Sequence, residues 1–338
     1  MRKCALTSLE AIFAAIARTA TLYLPVEGAD NFQQWTPGAR WNATGNTARG
    51  PKDLFFPQTE DLMAFKTAGK RIEVIDTRRE AEDFVVFGVR GCDVQSLSVL
   101  DQVFLAEPAD SYYAARRAHG LIVSLACTRP TATCFCTAFG IDPTAPAGDI
   151  TLWKTERDLY WQSHTEKGAA LLARLTDFTE ECDDKAVKEQ QAATAAILQN
   201  LPLAGLSTAS FGGDKADLFD YPDWERLSEA CLGCGTCTFH CPTCQCYDIK
   251  DFDTGHGVVR YRCWDSCMYA DFTKMAHGNP RRTQKERFRQ RFMHKLVYAP
   301  ANHGGQFGCV GCGRCLSACP VSMHIVTVMK TLGGERRD

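Results

Sequence analysis

Residues 231–246 read CLGCGTCTFHCPTCQC, six cysteines in sixteen residues, and residues 309–320 read CVGCGRCLSACP. Both contain the spacing CxxCxxCxxxCP, with Cys231, Cys234, Cys237 and Cys241 before Pro242, and Cys309, Cys312, Cys315 and Cys319 before Pro320. Thiolates at i, i+3 and i+6 of a loop wrap three irons of one cubane, and the cysteine before the proline projects toward the neighbouring cluster. The spacing therefore predicts one [4Fe-4S] cluster on Cys231, Cys234, Cys237 and Cys319, and another on Cys309, Cys312, Cys315 and Cys241. Gly233, Gly235, Gly311 and Gly313 leave room for backbone N–H groups to approach cluster sulfurs. The competing use of CxxC pairs, a structural zinc site, takes four ligands and leaves the third cysteine step and the terminal Cys-Pro unexplained.

Cys241 and Cys309 are separated by 67 residues, too many for a compact bacterial ferredoxin. The intervening stretch, including DFTKMAHGNPRRTQKERFRQRFMHKL with a break at Asn279-Pro280, reads as mostly helical. This resembles the helical ferredoxin domains used as relay modules in redox complexes. Upstream the pattern is α/β: DFVVFGVRGCD is a buried strand running into a turn, VQSLSVLDQVF has helical spacing, and GLIVSLAC is a second strand ending on a cysteine. DITLWKTERDLYWQS reads as a hairpin and KAVKEQQAATAAILQNL as a helix. The Gly-, Ser- and Asp-rich stretch PLAGLSTASFGGDKADLFDYPDWE marks a crossing segment. The expected fold class is α+β: an N-terminal α/β domain over residues 1–215, then a helical ferredoxin-like domain over 216–338.

Both predicted strands deliver a thiol at the carboxyl end, where open α/β sheets place ligands. Cys92 follows the first, Cys127 follows the second, and Cys134 and Cys136 lie in the loop beyond. All four can converge, and a third [4Fe-4S] cluster is the preferred reading over zinc or free thiols. Cys244, Cys246, Cys263 and Cys267 read as packing near the first run rather than as a further metal site, and Cys4 and Cys182 as ordinary free cysteines.

Eighteen cysteines with no export signal place the chain in a reducing, cytoplasmic compartment. No apolar stretch is long enough to span a bilayer, and the apolar positions Leu9, Ile12, Phe13, Ile16 and Ala17 make the N-terminus an amphipathic helix. With 38 basic and 40 acidic residues, no affinity for nucleic acid is expected of the whole molecule. In the basic run RRTQKERFRQRFMHK, Phe288 and Phe292 give the helix one buried edge, and its guanidinium groups are read as neutralising an anionic cluster or docking a subunit.

Taken in order, FFPQTEDL, FGVRGCDVQSLSVLDQVFLAEPADSYYAARRAHGLIVSLAC, CFC, CLGCGTCTFHCPTCQCYDIKD, RYRCWDSCMYADF, GNPRRTQKERFRQRFMHK and CVGCGRCLSACP resemble the beta subunit of cytoplasmic sulfhydrogenases, the NAD(P)-linked [NiFe]-hydrogenases. A weaker similarity runs to the A subunit of anaerobic sulfite reductase. The resemblance implies an iron-sulfur subunit carrying electrons between a flavin and NAD(P)-binding subunit and a catalytic partner, with a small iron-sulfur subunit and a [NiFe] large subunit in the same complex. It also implies cluster-ligand positions for Cys92, Cys127, Cys134 and Cys136, and family positions for Cys244, Cys246 and Cys267.

No catalytic residue is assigned to the chain itself. It contains neither GxGxxG after a strand nor GxxxxGK[ST], so nucleotide sites belong to other polypeptides. His240, His256, His277 and His303 are read as ordinary histidines. An enzyme acting on thiols or disulfides at CPTCQC with Cys267 is the remaining alternative.

Overall fold

The computed structural model describes residues 1–78, 80–212 and 215–334. Twelve strands are found among them: β1 (Arg2–Ala5), β2 (Thr21–Pro25), β3 (Phe32–Gln34), β4 (Thr59–Ala68), β5 (Arg71–Asp76), β6 (Phe84–Val89), β7 (Gly120–Leu125), β8 (Ile150–Lys154), β9 (Asp158–Ser163), β10 (Glu180–Glu181), β11 (Tyr247–Asp253) and β12 (Gly257–Trp264). An eight-stranded sheet runs β10-β1-β9-β8-β7-β6-β2-β3. Its centre, β2, β6, β7 and β8, is parallel, and the flanking pairs are antiparallel.

Every residue of β6 is buried, as befits a parallel strand covered on both faces. Val85 and Phe87 face a core shared with Ile12, Phe13 and Ile16 of the helix Leu9–Ala17. Phe84 and Val86 face another core with Leu97, Leu100 and Phe104 of the helix Gly91–Phe104 and with Tyr113 of the helix Ser111–His119. These two helices form the crossover from β6 to β7, so the carboxyl ends of adjacent parallel strands lie side by side.

The linker between the two cysteine runs is not mostly helical. Residues 247–253 and 257–264 form a hairpin that joins β4 and β5 in an antiparallel sheet, β11-β12-β4-β5, drawing strands from both sides of residue 215. Its register is pinned by Arg262, which is buried under the rings of Phe56, Phe104, Tyr112 and Tyr247 and salt-bridged to Glu60 and Asp110. Residues 271–283 contain no α-helix, since Gly278 and Pro280 interrupt the backbone ladder. The helix Gln284–Met293 begins at Thr283, whose side chain forms a capping box with Glu286.

A third core gathers Trp224, Phe288, Phe292, Leu296, Ile325, Val328 and Met329. Leu206, Phe211 and Leu218 from the expected crossing segment are buried in it, so that segment packs onto the C-terminal part. Among the described residues no helix is long and apolar enough to cross a membrane.

Candidate iron-sulfur sites

Cys241, Cys309, Cys312 and Cys315 line one cavity with Phe135, Arg291, Lys295, Val310, Gly313 and Ile325. The second run thus supplies three thiols to this cavity and the first run its last one. Lys295 is buried and donates to Thr243 Oγ1 and to the Gly308 carbonyl, both at 2.8 Å, while Thr243 Oγ1 lies 3.1 Å from Cys241 Sγ. Burial pushes the Cys312 thiol up to about 12, an effect Arg314 opposes. Arg291 is 2% exposed, and its Nε and Nη1 are buried without a hydrogen-bond partner among the described residues. A thiol-lined cavity walled by Lys295 and an unsatisfied guanidinium fits an anionic, sulfur-rich occupant, because a buried charge persists only when paired.

Cys92, Cys127, Cys134 and Cys136 line a second cavity with Gly45, Asn46, Arg90, Thr131, Gly311 and Cys312 among others, about 470 Å³ including its open mouth. Cys92 opens the helix Gly91–Phe104 just beyond β6, Cys127 follows β7, and Cys136 starts the 3₁₀ turn Cys136–Phe139. The sequence-predicted quartet therefore does surround one space. Arg90 is buried and holds the rim by donating to the carbonyls of Ala43, Gly45 and Ala126. Burial, with help from the neighbouring Cys127 and Cys134, pushes Cys136 up to about 12. Cys127 is likewise raised by burial and pulled back by Arg90.

Cys312 lines both cavities, and close backbone contact holds them together. Phe135 N–H donates to the Gly311 carbonyl at 2.9 Å. A Cβ on Gly311 would lie 2.4 Å from the Phe135 oxygen, and one on Gly313 2.6 Å from the Thr133 oxygen. Both glycines also have positive φ, 59° and 77°. They are needed for this approach of two chain segments as well as for the loop. Arg314 adds a buried bidentate bridge to Asp93, at 2.5 and 2.8 Å, and donates to Thr47 O. Arg90, Asp93 and Arg314 are not site residues in the sequence reading, where nearness to cysteines is their one visible signal, whereas Arg291 and Lys295 belong to the basic run expected to neutralise a cluster or dock a subunit.

In the first run, Gly233 and Gly235 repeat the positive φ, at 65° and 74°. Gln284 Nε2 donates to Cys231 Sγ at 3.4 Å, and Cys237 is raised by burial, with Arg291 opposing and Cys231 reinforcing. Cys234, the one exposed cysteine of the eighteen, is held below its ordinary range by the Thr236 hydroxyl. The short helix Thr236–Phe239 packs against Arg314–Ser317, its counterpart in the second run, and Cys319 follows the latter.

Cys244 is raised above its ordinary range chiefly by its neighbour Cys241, and Cys267 chiefly by its neighbour Cys246. Lys52, buried beneath Trp264 and donating to the Cys244 carbonyl, is lowered by burial to about 8. These three cysteines therefore pack beside the paired runs. Cys263 lies in the hairpin ladder opposite Asp248 and Thr59, Cys4 accepts from Trp161 Nε1 at 3.3 Å within the sheet core, and Cys182 packs with Val187 and Trp153. Among the described residues no three His, Cys, Asp or Glu side chains are grouped as ligands of a single metal ion.

The basic run divides by helix face. Arg287 donates to the carbonyls of Met268, Arg281 and Arg282, Arg289 lies over the Phe219 ring, and Lys285 pairs with Glu225 at the surface. Arg291 and Lys295, four residues apart, are the two at the thiol-lined cavity. Phe288 and Phe292 meet edge to face, 4.7 Å between ring centroids, in the core. His240 donates from Nδ1–H within its own turn, to the Thr236 carbonyl at 3.0 Å.

Residues 230–323 match the 4Fe-4S dicluster domain family. Across 287 residues the chain is 34% identical to the sulfhydrogenase 2 subunit beta of Pyrococcus furiosus, covering 82% of this chain and 81% of the relative. The chain belongs to the sulfhydrogenase beta-subunit family. It is thus an iron-sulfur subunit of mixed α/β structure with a ferredoxin-type dicluster domain toward its C-terminus. No solved structure matches the chain.

Proposed function

We propose that the chain relays electrons through three [4Fe-4S] clusters, between a flavin and NAD(P)-binding subunit and a [NiFe]-hydrogenase module comprising a small iron-sulfur subunit and a large subunit. The carrying observation is that Cys312 belongs to the walls of both thiol-lined cavities, so clusters seated there would be neighbours. The ligand sets are Cys309, Cys312, Cys315 and Cys241; Cys92, Cys127, Cys134 and Cys136; and Cys231, Cys234, Cys237 and Cys319. The third set rests on likeness between the runs: if Cys241 crosses to the second, the packed short helices favour Cys319 crossing to the first. We place the protein in the cytoplasm, and divide it into an α/β part over 1–215 and a helical ferredoxin part over 216–338 that shares one sheet with it.

The clusters supply reversible one-electron storage. The chain's own residues hold the thiolates, exclude water and offset negative charge: Lys295 and Arg291 at the second-run cavity, Arg90 at the rim of the N-terminal one, and Arg314 between them. Anaerobically purified chain should contain about twelve irons and no nickel or flavin. Cys312→Ser and Cys134→Ser should each remove the signal of a different cluster. Zinc in place of iron, or full iron in Cys134→Ser, would overturn the assignments. A co-purifying subunit with sirohaem rather than nickel would move the relay to a sulfite reductase.

A further inference from the structure

Arg291 occupies an unusual position for a charged residue. It is 2% exposed, and only one of its three guanidinium nitrogens is hydrogen-bonded: Nη2 donates to the Cys237 carbonyl of the first run at 3.1 Å. Nε and Nη1 are buried with no partner among the described residues, although the side chain forms part of the wall around Cys241, Cys309, Cys312 and Cys315. The Phe292 ring, 4.6 Å away, supplies a face but no hydrogen-bond acceptor for both groups. Leaving two charged donors buried and unmet costs several kcal/mol, so the fold retains Arg291 for an acceptor that the polypeptide itself does not supply.

The helix geometry explains why it reaches both runs. Phe288 and Phe292 anchor the helix Gln284–Met293 in the core, and the helix then passes into a π-helical turn, His294–Tyr298. π-turns recur at functional sites because the extra residue re-aims side chains. Here it carries Lys295, which is committed to Thr243 and Gly308. Arg291, one turn earlier, is the cation left with free donors.

We infer that Arg291 is the electrostatic link of the C-terminal cluster pair: fixed to the first run through the Cys237 carbonyl, it donates Nε–H and Nη1–H to the sulfurs of the second-run cluster and stabilises that cluster's reduced state. This rests on the cluster reading above. A positive charge and two hydrogen bonds directed at cluster sulfur favour the more negative, reduced form, which raises the potential. The second-run cluster is thereby kept reducible from either neighbour.

The test is a redox titration of anaerobically purified chain followed by electron paramagnetic resonance, with the second-run signal identified as the one missing in Cys315→Ser. Arg291→Met should keep its iron while the second-run cluster shifts to lower potential. At a fixed poise its ratio of reduced to oxidised should fall about tenfold, which is about 59 mV for one electron. Arg291→Lys, which keeps the charge but loses the fork, should shift the same cluster less. Lys285→Met, on the same helix but exposed and paired with Glu225, should leave it unmoved. If Arg291→Met destabilises the cluster, Arg291→Lys decides. An unchanged potential in an iron-replete Arg291 variant overturns the inference. Wild-type chain without iron would instead refute the cluster reading, a separate result.

Discussion

The Asp93–Arg314 bridge provides the sharpest energetic prediction, because it ties the helix that begins at Cys92 to the loop of the second run. Asp93 is 1% exposed and Arg314 5%, and the pair is bidentate at 2.5 and 2.8 Å. Replacing Arg314 with Met leaves a carboxylate in a place water does not reach. Breaking a buried pair in this way costs about 3–5 kcal/mol. Replacing Asp93 with Asn should cost less, because Arg314 keeps its bond to the Thr47 carbonyl and lies among Cys312 and Cys92, whose thiolates also favour its charge. The double variant, which removes both charges, should cost clearly less than the two single costs added together, since neither partner is stranded. Global unfolding of a cluster-bearing chain is a poor measure, so the readout is hydrogen exchange of the Gly91–Phe104 amides in the native state. The expected result is lost protection there in Arg314→Met, by a factor of about 100 or more. Equal and additive effects of the two single variants, or a loss below about 1 kcal/mol in Arg314→Met, would refute the reasoning.

Gly311→Ala should be far more damaging than Gly38→Ala, although both have positive φ, because only the first would drive a Cβ into backbone, 2.4 Å from the Phe135 oxygen. Thermal inactivation, together with the spectra of the clusters proposed for the two cavities that share Cys312, measures the difference; equal effects would show that strain at φ alone matters. Burial, with Lys295 beside it, lowers His294 from 6.5 to about 4, so between these values the unfolded chain binds more protons than the folded one. Stability should therefore fall as pH drops from 6.5 toward 4, by up to about 3 kcal/mol, and His294→Asn should flatten that slope in native-state hydrogen exchange of the Gln284–Met293 amides. Cys4→Ala should leave the iron content unchanged, since its sulfur accepts from Trp161 Nε1 within the sheet core; iron loss would place it in a cluster.

Much of the framework follows from local pattern. The uninterrupted apolar run of β6, the helical spacing after Cys92 and the hairpin at 150–163 were legible because burial on both faces, one helical face, or alternation leaves a periodic trace. The β11–β12 hairpin was not, because its outer strand is largely exposed and carries Asp248, Lys250, Asp251 and Asp253, while its stability comes from Arg262 meeting Glu60 and Asp110 some 150 to 200 residues away in sequence. Spacing leads to the expectation that Cys241 serves the second run, and in the fold it lines one cavity with Cys309, Cys312 and Cys315.

Fixed thiol spacing and strand-end cysteines thus made the sulfur chemistry readable in one dimension. Which charges accompany it was decided only in three dimensions. Arg291 looks like the other basic residues of RRTQKERFRQRFMHK, and Arg314 like any residue between two cysteines, until packing removes water from them. The spacing of a ligand motif is a property of the chain, whereas the solvation and partners of a charge belong to the folded surroundings, and no local pattern encodes them.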